Sequence, residues 1–409
     1  MTADQPASPD ARPDRATRAE WGVTVAISAD PYHRGAVAYG RERSAVIAEA
    51  FIDATRRRMG ATAEIIRRSD LEWLVWLDAD DPIVPALLSR PWSHGAQAVD
   101  VDGATYHLEL AIGIVRAADF ADDVPDDDAV ISAADAALSK ALVEGLSAVI
   151  ASPGQRLVAR RDIEVANALM TAADDDFSMY YQPIVALDGS ATLGWESLLR
   201  WSWRGSIVEP AVFMPVAEAT TLIVRMGRPA IASVFRDLAG RISSAHGDDV
   251  FVSINLSAKQ LWDETLPGYF AALAARHRVA LERVWIEVSE IDVIEPSGVA
   301  ARTLFALHEL GCVICVDDLG AGFSALRYVR DLPIGVLKID RSLVAPLPRS
   351  ASGRAVVRAI CEMAAATGIT TVAEGIETGD ELDAVAALRF DLGQGYLLGR
   401  PLPPDELFT

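Results

Sequence analysis

The sequence predicts an α/β protein in which a (β/α)8 barrel of the TIM type follows a smaller α/β domain. Three observations lead to this expectation. The chain has 409 residues, more than one hydrophobic core usually supports. From Met179 onward, eight apolar runs alternate with helical segments, as in a barrel of mostly parallel strands. Polar motifs end seven of these runs about one βα unit apart, so we expect their side chains to meet at one rim.

The first region alternates strand-like and helical segments. A β-rich run at 23–28, a helix at 45–57, strands at 71–77 and 106–115 and an Ala-rich helix at 132–146 predict an α/β sandwich. Residues 1–20, rich in Pro, Asp, Ala and Arg, are typical of a flexible leader. Ser152-Pro153-Gly154 interrupts the pattern and predicts the boundary, so the first domain spans 21–152 and the second 153–409.

The second region opens with a predicted helix at 157–170. Strands are then expected near 179–185, 193–199, 250–256, 284–289, 312–317, 335–339, 370–374 and 392–397, with helices between them. No glycine-rich phosphate loop of the dinucleotide-binding or Walker type follows any of these strands.

Composition limits the classes of partner and the compartment. A net charge of −21 argues against a surface that follows nucleic-acid backbones. Three cysteines make a disulfide framework improbable, and Cys312 and Cys315, three apart on a strand, face opposite sides of it, which disfavours a redox or zinc pair. No apolar run reaches the roughly 20 residues that cross a bilayer. We therefore expect a cytoplasmic protein that binds neither nucleic-acid polymers nor membranes.

Hard oxygen donors dominate the strand-end motifs. Glu196, Asn255, Glu287, Asp317 and Asp318 offer carboxylate or amide oxygens, and none of the 6 histidines lies within these motifs. This donor set favours Mg²⁺ or Mn²⁺ over zinc. Carboxylates crowded at one barrel mouth repel one another unless cations neutralise them, and two divalent ions would suit phosphate-ester hydrolysis.

Two further residues at the same rim add acid–base and electrostatic groups. Lys338 could stabilise negative charge in the transition state, and Glu374 could bind the second metal through water or accept a proton.

The motifs together resemble a known family. Residues from about 155 to 409 resemble the EAL-type phosphodiesterases of bacterial cyclic di-GMP signalling, in family order and over the whole second region. The resemblance is carried by Tyr181-Gln182-Pro183-Ile184, Glu196-Ser197-Leu198-Leu199-Arg200-Trp201, Asn255-Leu256-Ser257, Glu287-Val288-Ser289-Glu290, Asp317-Asp318-Leu319-Gly320, Lys338-Ile339-Asp340, Glu374-Gly375-Ile376-Glu377 and Gln394-Gly395-Tyr396.

The resemblance implies hydrolysis of one phosphodiester bond of cyclic di-GMP to linear pGpG by a homodimer. It implies a first metal held by Glu196, Asn255, Glu287 and Asp317, and a second held by Asp317, Asp318 and, through water, Glu374. Lys338 would position the attacking water. Gln182, Arg200 and Gln394 would contact the substrate or its water network, and Glu290 would anchor the loop after Asp317-Asp318.

Three positions depart from the family pattern. Ser197 replaces the signature Ala at a position that is not a ligand, so we expect little effect. Leu319 and Ala321 replace Phe and Thr in the loop after the paired aspartates, which the family uses in dimer contacts and metal-site ordering. The expected consequence is altered control and turnover rate, with the chemistry retained.

The first region resembles diguanylate cyclases of the GGDEF type in degenerate form. Arg67-Arg68-Ser69-Asp70-Leu71-Glu72-Trp73 occupies the place of the cyclase hairpin signature. Ser69 and Asp70 replace two glycines that let a nucleotide approach the backbone, and Leu71 replaces a metal-binding acid. The inhibitory Arg-x-x-Asp is also missing. We expect no cyclase activity, and a regulatory role through GTP binding or dimerisation.

Simpler roles exist for single residues. Glu287 and Glu290 could decorate a strand, Asp317-Asp318 could form a turn, and Lys338 could reach solvent. Arg200 could stack on Trp201, Gln182 and Gln394 could satisfy backbone groups, and Asp340 could cap a helix.

For the whole chain, two alternatives to the enzyme are considered. One is a silent EAL module that binds cyclic di-GMP as a receptor, and the other is an interaction scaffold. The complete ligand set disfavours the receptor.

Overall fold

The chain folds into two compact units, which comprise Met1–Ile163 and Glu164–Thr409. The structure is a computed structural model that describes residues 21–91, 96–120, 127–151, 155–187, 191–289, 298–320 and 329–408. The predicted leader, 1–20, and the predicted boundary tripeptide, 152–154, lie outside these ranges. Within the described residues, no helix is both long and apolar enough to cross a membrane.

The first unit is a mixed sheet with helices on both faces. Its strands are β1 (Trp21–Ala29), β2 (Glu64–Arg67), β3 (Glu72–Asp78), β4 (Ala96–Val101), β5 (Ala104–Arg116) and β6 (Ala148–Ile150), in the order β2-β3-β1-β5-β4 with β6 beside β5. Its helices are α1 (Arg34–Tyr39), α2 (Arg41–Arg56), α3 (Val84–Ser89) and α4 (Asp127–Val143).

Strand alternation builds the two cores of this unit. Val25 and Ile27 of β1 pack with α2 and α3 on one face, while Ala26 packs with α4 on the other. A Cβ at Gly113 of β5 would lie 2.2 Å from the Ala134 carbonyl, so glycine is needed for the close approach of α4.

Helix α4 begins earlier than the predicted residue 132, and Asp127 stands at its start. An acidic residue there is favoured by the positive end of the helix dipole.

The second unit contains a closed ring of eight strands. They are β7 (Phe177–Ala186), β8 (Thr192–Trp203), β10 (Phe251–Asn255), β11 (Val284–Ser289), β12 (Val313–Leu319), β13 (Ile334–Ile339), β14 (Thr370–Ala373) and β15 (Leu392–Gly393), with β9 (Ser206–Val208) outside the ring. Pairing of β8 with β10 and of β15 with β7 closes the ring, which confirms the predicted barrel.

One strand of the ring differs from a fully parallel barrel. Strand β7 runs antiparallel to both β8 and β15. Five residues, 187–191, join β7 to β8. A parallel connection needs a dozen residues or more, so this short link dictates a hairpin.

Helices surround the ring. Helix α5 (Gln155–Thr171) contains the division between the units and precedes β7. The others are α6 (Pro210–Ala219), α7 (Leu222–Asp237), α8 (Ser243–His246), α9 (Ala258–Leu261), α10 (Leu266–His277), α11 (Val299–Glu309), α12 (Arg341–Val344), α13 (Ala351–Thr367), α14 (Gly379–Ala387) and α15 (Pro404–Leu407). The strands' outward apolar residues and the helices form the main core of the unit.

An apolar plug fills the interior of the ring. It consists of one buried residue from each of seven strands: Ile184, Phe251, Trp285, Cys315, Val336, Val372 and Leu392. The rings of Phe251 and Trp285 stack with centroids 3.6 Å apart. The eighth strand contributes Gly194, where a Cβ would lie 2.5 Å from the Phe251 ring, so its missing side chain makes room for the plug.

Candidate active site

The polar side chains of the site form a layer directly above the apolar plug. Residues two apart on a strand face the same side, so each plug residue is followed two positions later by another inward-facing side chain. The pairs are Gly194 and Glu196, Phe251 and Ser253, Trp285 and Glu287, Cys315 and Asp317, Val336 and Lys338, Val372 and Glu374, and Leu392 and Gln394. On the antiparallel β7 the order is reversed, and Gln182 precedes Ile184.

Lys338 lies at the centre of this layer. Its side chain is 1% exposed, so the alternative in which it reaches solvent is wrong. The ammonium Nζ is 2.6 Å from Glu374 Oε1 and 3.0 Å from Glu287 Oε2. It is also 3.2 Å from Asp317 Oδ1 and 3.4 Å from Glu196 Oε2. One buried cation therefore contacts four carboxylates from four strands or strand ends.

The carboxylates form two groups that share one member. Oxygen atoms of Glu196, Glu287 and Asp317 lie within 4.8 Å of one another, and so do oxygen atoms of Asp317, Asp318 and Glu374. Five carboxylates against the single ammonium of Lys338 give this layer a formal charge of −4. Acidic groups are thus positioned to bind divalent metal ions.

Two observations show that the donors fit such ions. Two divalent cations would balance the formal charge of the layer. In addition, Oε1 of the buried Glu287 has no hydrogen-bond partner within the described part of the chain, although buried carboxylate oxygens are normally satisfied. Oxygen-only donors of this kind suit Mg²⁺, Mn²⁺ or Ca²⁺.

Burial, together with neighbouring negative charges, raises the pKa values of three acids. Burial raises the pKa of Glu287 to about 8, with Glu196 and Asp317 adding to the rise against the opposing charge of Lys338. Burial, with the neighbouring Asp317, raises the pKa of Asp318 to about 6. Burial and Asp317 also hold the pKa of Glu374 well above its usual range. Without added cations, these groups retain protons more readily than free carboxylic acids do.

Glu196 and Lys338 are kept charged instead. Burial raises the pKa of Glu196, but the charge of Lys338 and hydrogen bonds from Gln394 and Asn255 outweigh it, so the net pKa lies below the ordinary value. Burial would lower the pKa of Lys338, yet the surrounding carboxylates, led by Asp317, hold it well above its usual range. Lys338 Nζ and Glu196 Oε2 lie 3.4 Å apart and form a buried ion pair.

Hydrogen bonds from two amides orient Glu196, and a third amide, Gln182, bonds to one of them. Asn255 Nδ2 donates to Glu196 Oε1 at 2.9 Å, and Gln394 Nε2 donates to Glu196 Oε2 at 2.6 Å. The same Gln394 nitrogen donates to Gln182 Oε1 at 3.1 Å, while Gln182 Nε2 donates to the Gly399 carbonyl at 3.0 Å. Gln182 thus satisfies a backbone group, as the simpler alternative predicted, and also belongs to the site network.

A cavity of 490 Å³ adjoins these residues. It is lined by Glu196, Asn255 and Asp317 on the site side and by apolar side chains of α6 and α7, such as Met214 and Met226, on the other. The site therefore has an acidic end and an apolar end, which together can receive a ligand with both charged and flat apolar parts.

Arg200 lies farther along β8, outside the acidic layer. Its guanidinium stacks over Tyr180 at 5.2 Å and not over Trp201, and Nη1 donates to the Leu199 carbonyl at 3.0 Å. The bond to the Leu199 carbonyl uses one of the five N–H donors of the guanidinium, and an anionic ligand could accept from the others. Trp201 instead packs on Phe213 in a separate cluster.

Asp340 follows β13 and caps helix α12, since its carboxylate accepts from the Ser342 amide at 2.8 Å. This matches the capping alternative. The neighbouring Arg341 forms a bidentate ion pair with Glu377, which ties the end of β13 to the segment after Glu374.

The positions that depart from the family pattern have specific surroundings. Ser197 is buried and its hydroxyl donates to the Ser253 carbonyl at 2.6 Å, joining β8 to β10. Asp318 adopts the left-handed conformation, with φ 56°, and the following Leu319 is buried. Glu290 and Ala321 lie outside the described residues.

Sequence reasoning missed three parts of this arrangement: the Gly399 carbonyl, Tyr180 beneath Arg200, and the ion pair of Arg341 with Glu377. The last two could have been suspected from residues next to recognised motifs. The Gly399 contact has no local signal, because it joins positions 217 residues apart.

In the first unit, the segment 67–73 spans the end of β2, the turn and the start of β3. Arg68 at the turn pairs with Asp135 of α4 at 2.5 Å. At the end of β1, the Asp30 carboxylate accepts from the Gly35 and Ala36 amides and from the Ser44 hydroxyl.

Comparison with known proteins gives consistent matches to one family. The family model described as EAL domain matches residues 164–401. The chain is 32% identical over 315 residues to the cyclic di-GMP phosphodiesterase PA2567 of Pseudomonas aeruginosa, covering 75% of this chain and 52% of that protein. It is 27% identical over 376 residues to the bifunctional diguanylate cyclase/cyclic di-GMP phosphodiesterase MucR of the same organism, covering 91% and 54%.

A solved structure is similar as well. The PaMucR phosphodiesterase in its c-di-GMP complex matches with a TM-score of 0.56 and 30% identity, covering 60% of this chain and 99% of that one. The chain spans about half the length of the two curated relatives named above.

Proposed function

We propose that this chain, which belongs to the EAL-domain family, hydrolyses cyclic di-GMP to linear pGpG. The observation that carries the proposal is the pair of carboxylate groups that share Asp317 around the buried Lys338. The similarity to the phosphodiesterases PA2567 and MucR supports cyclic di-GMP as the substrate, as does the c-di-GMP bound in the PaMucR complex.

Mg²⁺ or Mn²⁺ ions are the proposed cofactors, two in each site. Glu196, Asn255, Glu287 and Asp317 would hold one ion, and Asp317, Asp318 and, through water, Glu374 the other. When bound, such ions activate water and stabilise charge on the phosphate as Lewis acids.

The chain's own residues then complete the reaction. A water oxygen bonds to phosphorus as the water loses a proton, and the P–O3′ bond breaks with its electron pair passing to O3′. O3′ takes up a proton to become the 3′-hydroxyl, and the linear product keeps a 5′-phosphate. Lys338, held in its charged form by the carboxylates around it, positions the water and stabilises negative charge on the phosphate oxygens. Glu374, 2.6 Å from Lys338, is placed to accept a proton.

Arg200 is the proposed contact to a substrate phosphate, because a guanidinium offers several N–H donors to an anion. Glu290 is proposed to anchor the loop after Asp318. Gln182 and Gln394 are candidates for further substrate contacts.

The region 21–152 is proposed to be a degenerate GGDEF-like regulatory domain of a cytoplasmic homodimer, with GTP as a candidate effector. The alignment with the bifunctional diguanylate cyclase/phosphodiesterase MucR, which covers 91% of this chain, supports the assignment.

One experiment tests the activity and its rival together. Purified protein comprising residues 1–409 is incubated with cyclic di-GMP and Mg²⁺ or Mn²⁺, with and without GTP, and the products are separated by chromatography. We expect pGpG with either ion, none in excess chelator, and a rate that changes with GTP if the first domain senses it. Bound but uncleaved cyclic di-GMP would identify a receptor instead.

The Glu196→Ala variant tests the ligand assignment. It should lose hydrolysis while its circular dichroism spectrum stays that of the wild type, because Glu196 lies at the rim and not in the plug. Hydrolysis at the wild-type rate by this variant would contradict the ligand assignment.

A further inference from the structure

We infer that the C-terminal segment, residues 397–408, is a positioning element for Glu196 and acts through the side chains of Gln182 and Gln394. The inference rests on the proposed function for the role of Glu196 as a metal ligand. It assigns Gln182 to the protein's own hydrogen-bond network and gives the end of the chain a part in the site.

The direction of the hydrogen bonds follows from the two ends of the network. The Gly399 carbonyl and the ionised Glu196 carboxylate can only accept. Two amides between two acceptors have one arrangement in which every contact pairs a donor with an acceptor. In that arrangement Gln182 Nε2 faces the Gly399 carbonyl, at 3.0 Å, and Gln182 Oε1 faces Gln394 Nε2, at 3.1 Å. The same Gln394 nitrogen faces Glu196 Oε2, at 2.6 Å.

Burial makes this arrangement costly to disturb. Gln182, Gln394 and Glu196 are each at most 8% exposed. A flipped amide would place two acceptor oxygens against each other with little access to water, and unsatisfied buried polar groups are strongly disfavoured. The Gly399 carbonyl therefore helps to fix which face Gln394 presents to Glu196.

The segment is anchored on the outer side of the same two strands. Leu402 and Tyr181 exchange backbone hydrogen bonds of 2.8 and 3.1 Å. The Phe408 ring packs edge-on against Tyr181 and Trp195, with centroids 5.6 and 5.2 Å apart.

These anchors adjoin the network residues in the sequence. Tyr181 precedes Gln182, Trp195 precedes Glu196, and Gln182 and Glu196 lie opposite each other in the ladder of β7 and β8. Because side chains alternate across a strand, holding the outer residues fixes the direction of the inner ones.

Two variants separate positioning from substrate contact. Gln182→Met keeps the length of the side chain and removes both hydrogen bonds, and Phe408→Ala weakens the anchor on the outer side of the barrel. Phe305→Ala is the control, a partly exposed aromatic residue on α11 outside the described network. For each protein, kcat and KM for cyclic di-GMP are measured, and Mn²⁺ affinity is determined from the electron paramagnetic resonance signal of the free ion.

We expect Gln182→Met to lower kcat and to weaken Mn²⁺ binding about 10- to 100-fold, the usual effect of losing a residue that orients a metal ligand. KM should change little. Phe408→Ala should act in the same direction with a smaller loss, and Phe305→Ala should match the wild type. Phe408→Leu keeps an apolar anchor, so its kcat and Mn²⁺ affinity should lie between those of Phe408→Ala and the wild type. If Phe408→Ala does not fold, Phe408→Leu is compared with the wild type alone.

Two results would overturn the inference. One is a raised KM with unchanged kcat and unchanged Mn²⁺ affinity in Gln182→Met, which would make Gln182 a substrate contact. The other is a Phe408→Ala variant indistinguishable from Phe305→Ala. If the wild type does not hydrolyse cyclic di-GMP, the proposed function fails, and the Mn²⁺ affinities still test the positioning role.

Discussion

Replacing Lys338 by methionine tests whether this one ammonium balances the acidic layer. Its Nζ lies between 2.6 and 3.4 Å from oxygens of four carboxylates, and the side chain is 1% exposed. Removing one partner from a buried ionic cluster costs about 3–5 kcal/mol, because the remaining charges stay desolvated. Methionine retains most of the volume, so the loss should report charge and not packing.

The size of the effect should depend on divalent cations. In chelator we expect the free energy of unfolding to fall by about 3–5 kcal/mol. With saturating Mn²⁺ the difference from the wild type should shrink, since bound cations supply the missing positive charge. The variant that is folded in Mn²⁺ should still lose roughly 10²- to 10³-fold in kcat, the usual cost of a group that stabilises transition-state charge.

Urea unfolding followed by far-UV circular dichroism, in chelator and in Mn²⁺, measures both effects. Lys140→Met is the control, because Lys140 lies on α4 with half of its side chain exposed and pairs with Glu144 at 3.8 Å. That variant should unfold at the wild-type urea concentration. An unchanged midpoint for Lys338→Met in chelator would refute the reasoning, and so would an equal loss with and without Mn²⁺.

Three more expectations follow from the geometry. Glu287, with a pKa of about 8, and Asp318, with a pKa of about 6, are protonated below those pH values. Mn²⁺ affinity should therefore rise as the pH increases through this range. An affinity independent of pH would argue against these ligands. Ca²⁺ should inhibit hydrolysis supported by Mg²⁺, because its larger and looser coordination sphere misplaces the reacting groups, and turnover equal to that with Mg²⁺ would contradict this. Gly395→Ala should lower the free energy of unfolding by about 1–3 kcal/mol, since its Cβ would lie 2.1 Å from the Ile376 carbonyl oxygen. Gly268→Ala in α10 is the control and should leave the thermal midpoint unlowered, because a Cβ there meets no atom within 4 Å.

The sequence allowed the barrel strands to be predicted within a few residues, because all eight are apolar runs and seven of them end in a polar motif. The strands missed in the first unit are short or lack a continuous apolar run: β2 has four residues, β6 has three, and β4 carries Gln97 and Asp100. Such segments become strands through their neighbours in the sheet, and local propensity does not reveal them.

The candidate site was predictable to a different degree for each residue. The inward orientation of the acids at strand ends can be predicted from the local sequence, because each lies two residues after a plug residue and side chains alternate along a strand. The burial of Lys338 is a property of the assembled ring, since its partners come from other strands. The contact of Gln182 with Gly399 depends on where the end of the chain packs, and no sequence pattern near Gln182 indicates it.

The plug beneath the polar layer has a kinetic consequence. Phe251 and Trp285 stack in the interior and five other buried apolar residues pack with them, so this layer obstructs the ring beneath the polar side chains. In the proposed reaction, substrate, ions and product all enter and leave at the rim that carries the polar layer, so departing pGpG and arriving cyclic di-GMP compete for the same opening. Slow release of the product would therefore delay binding of the next substrate molecule and lower the turnover rate.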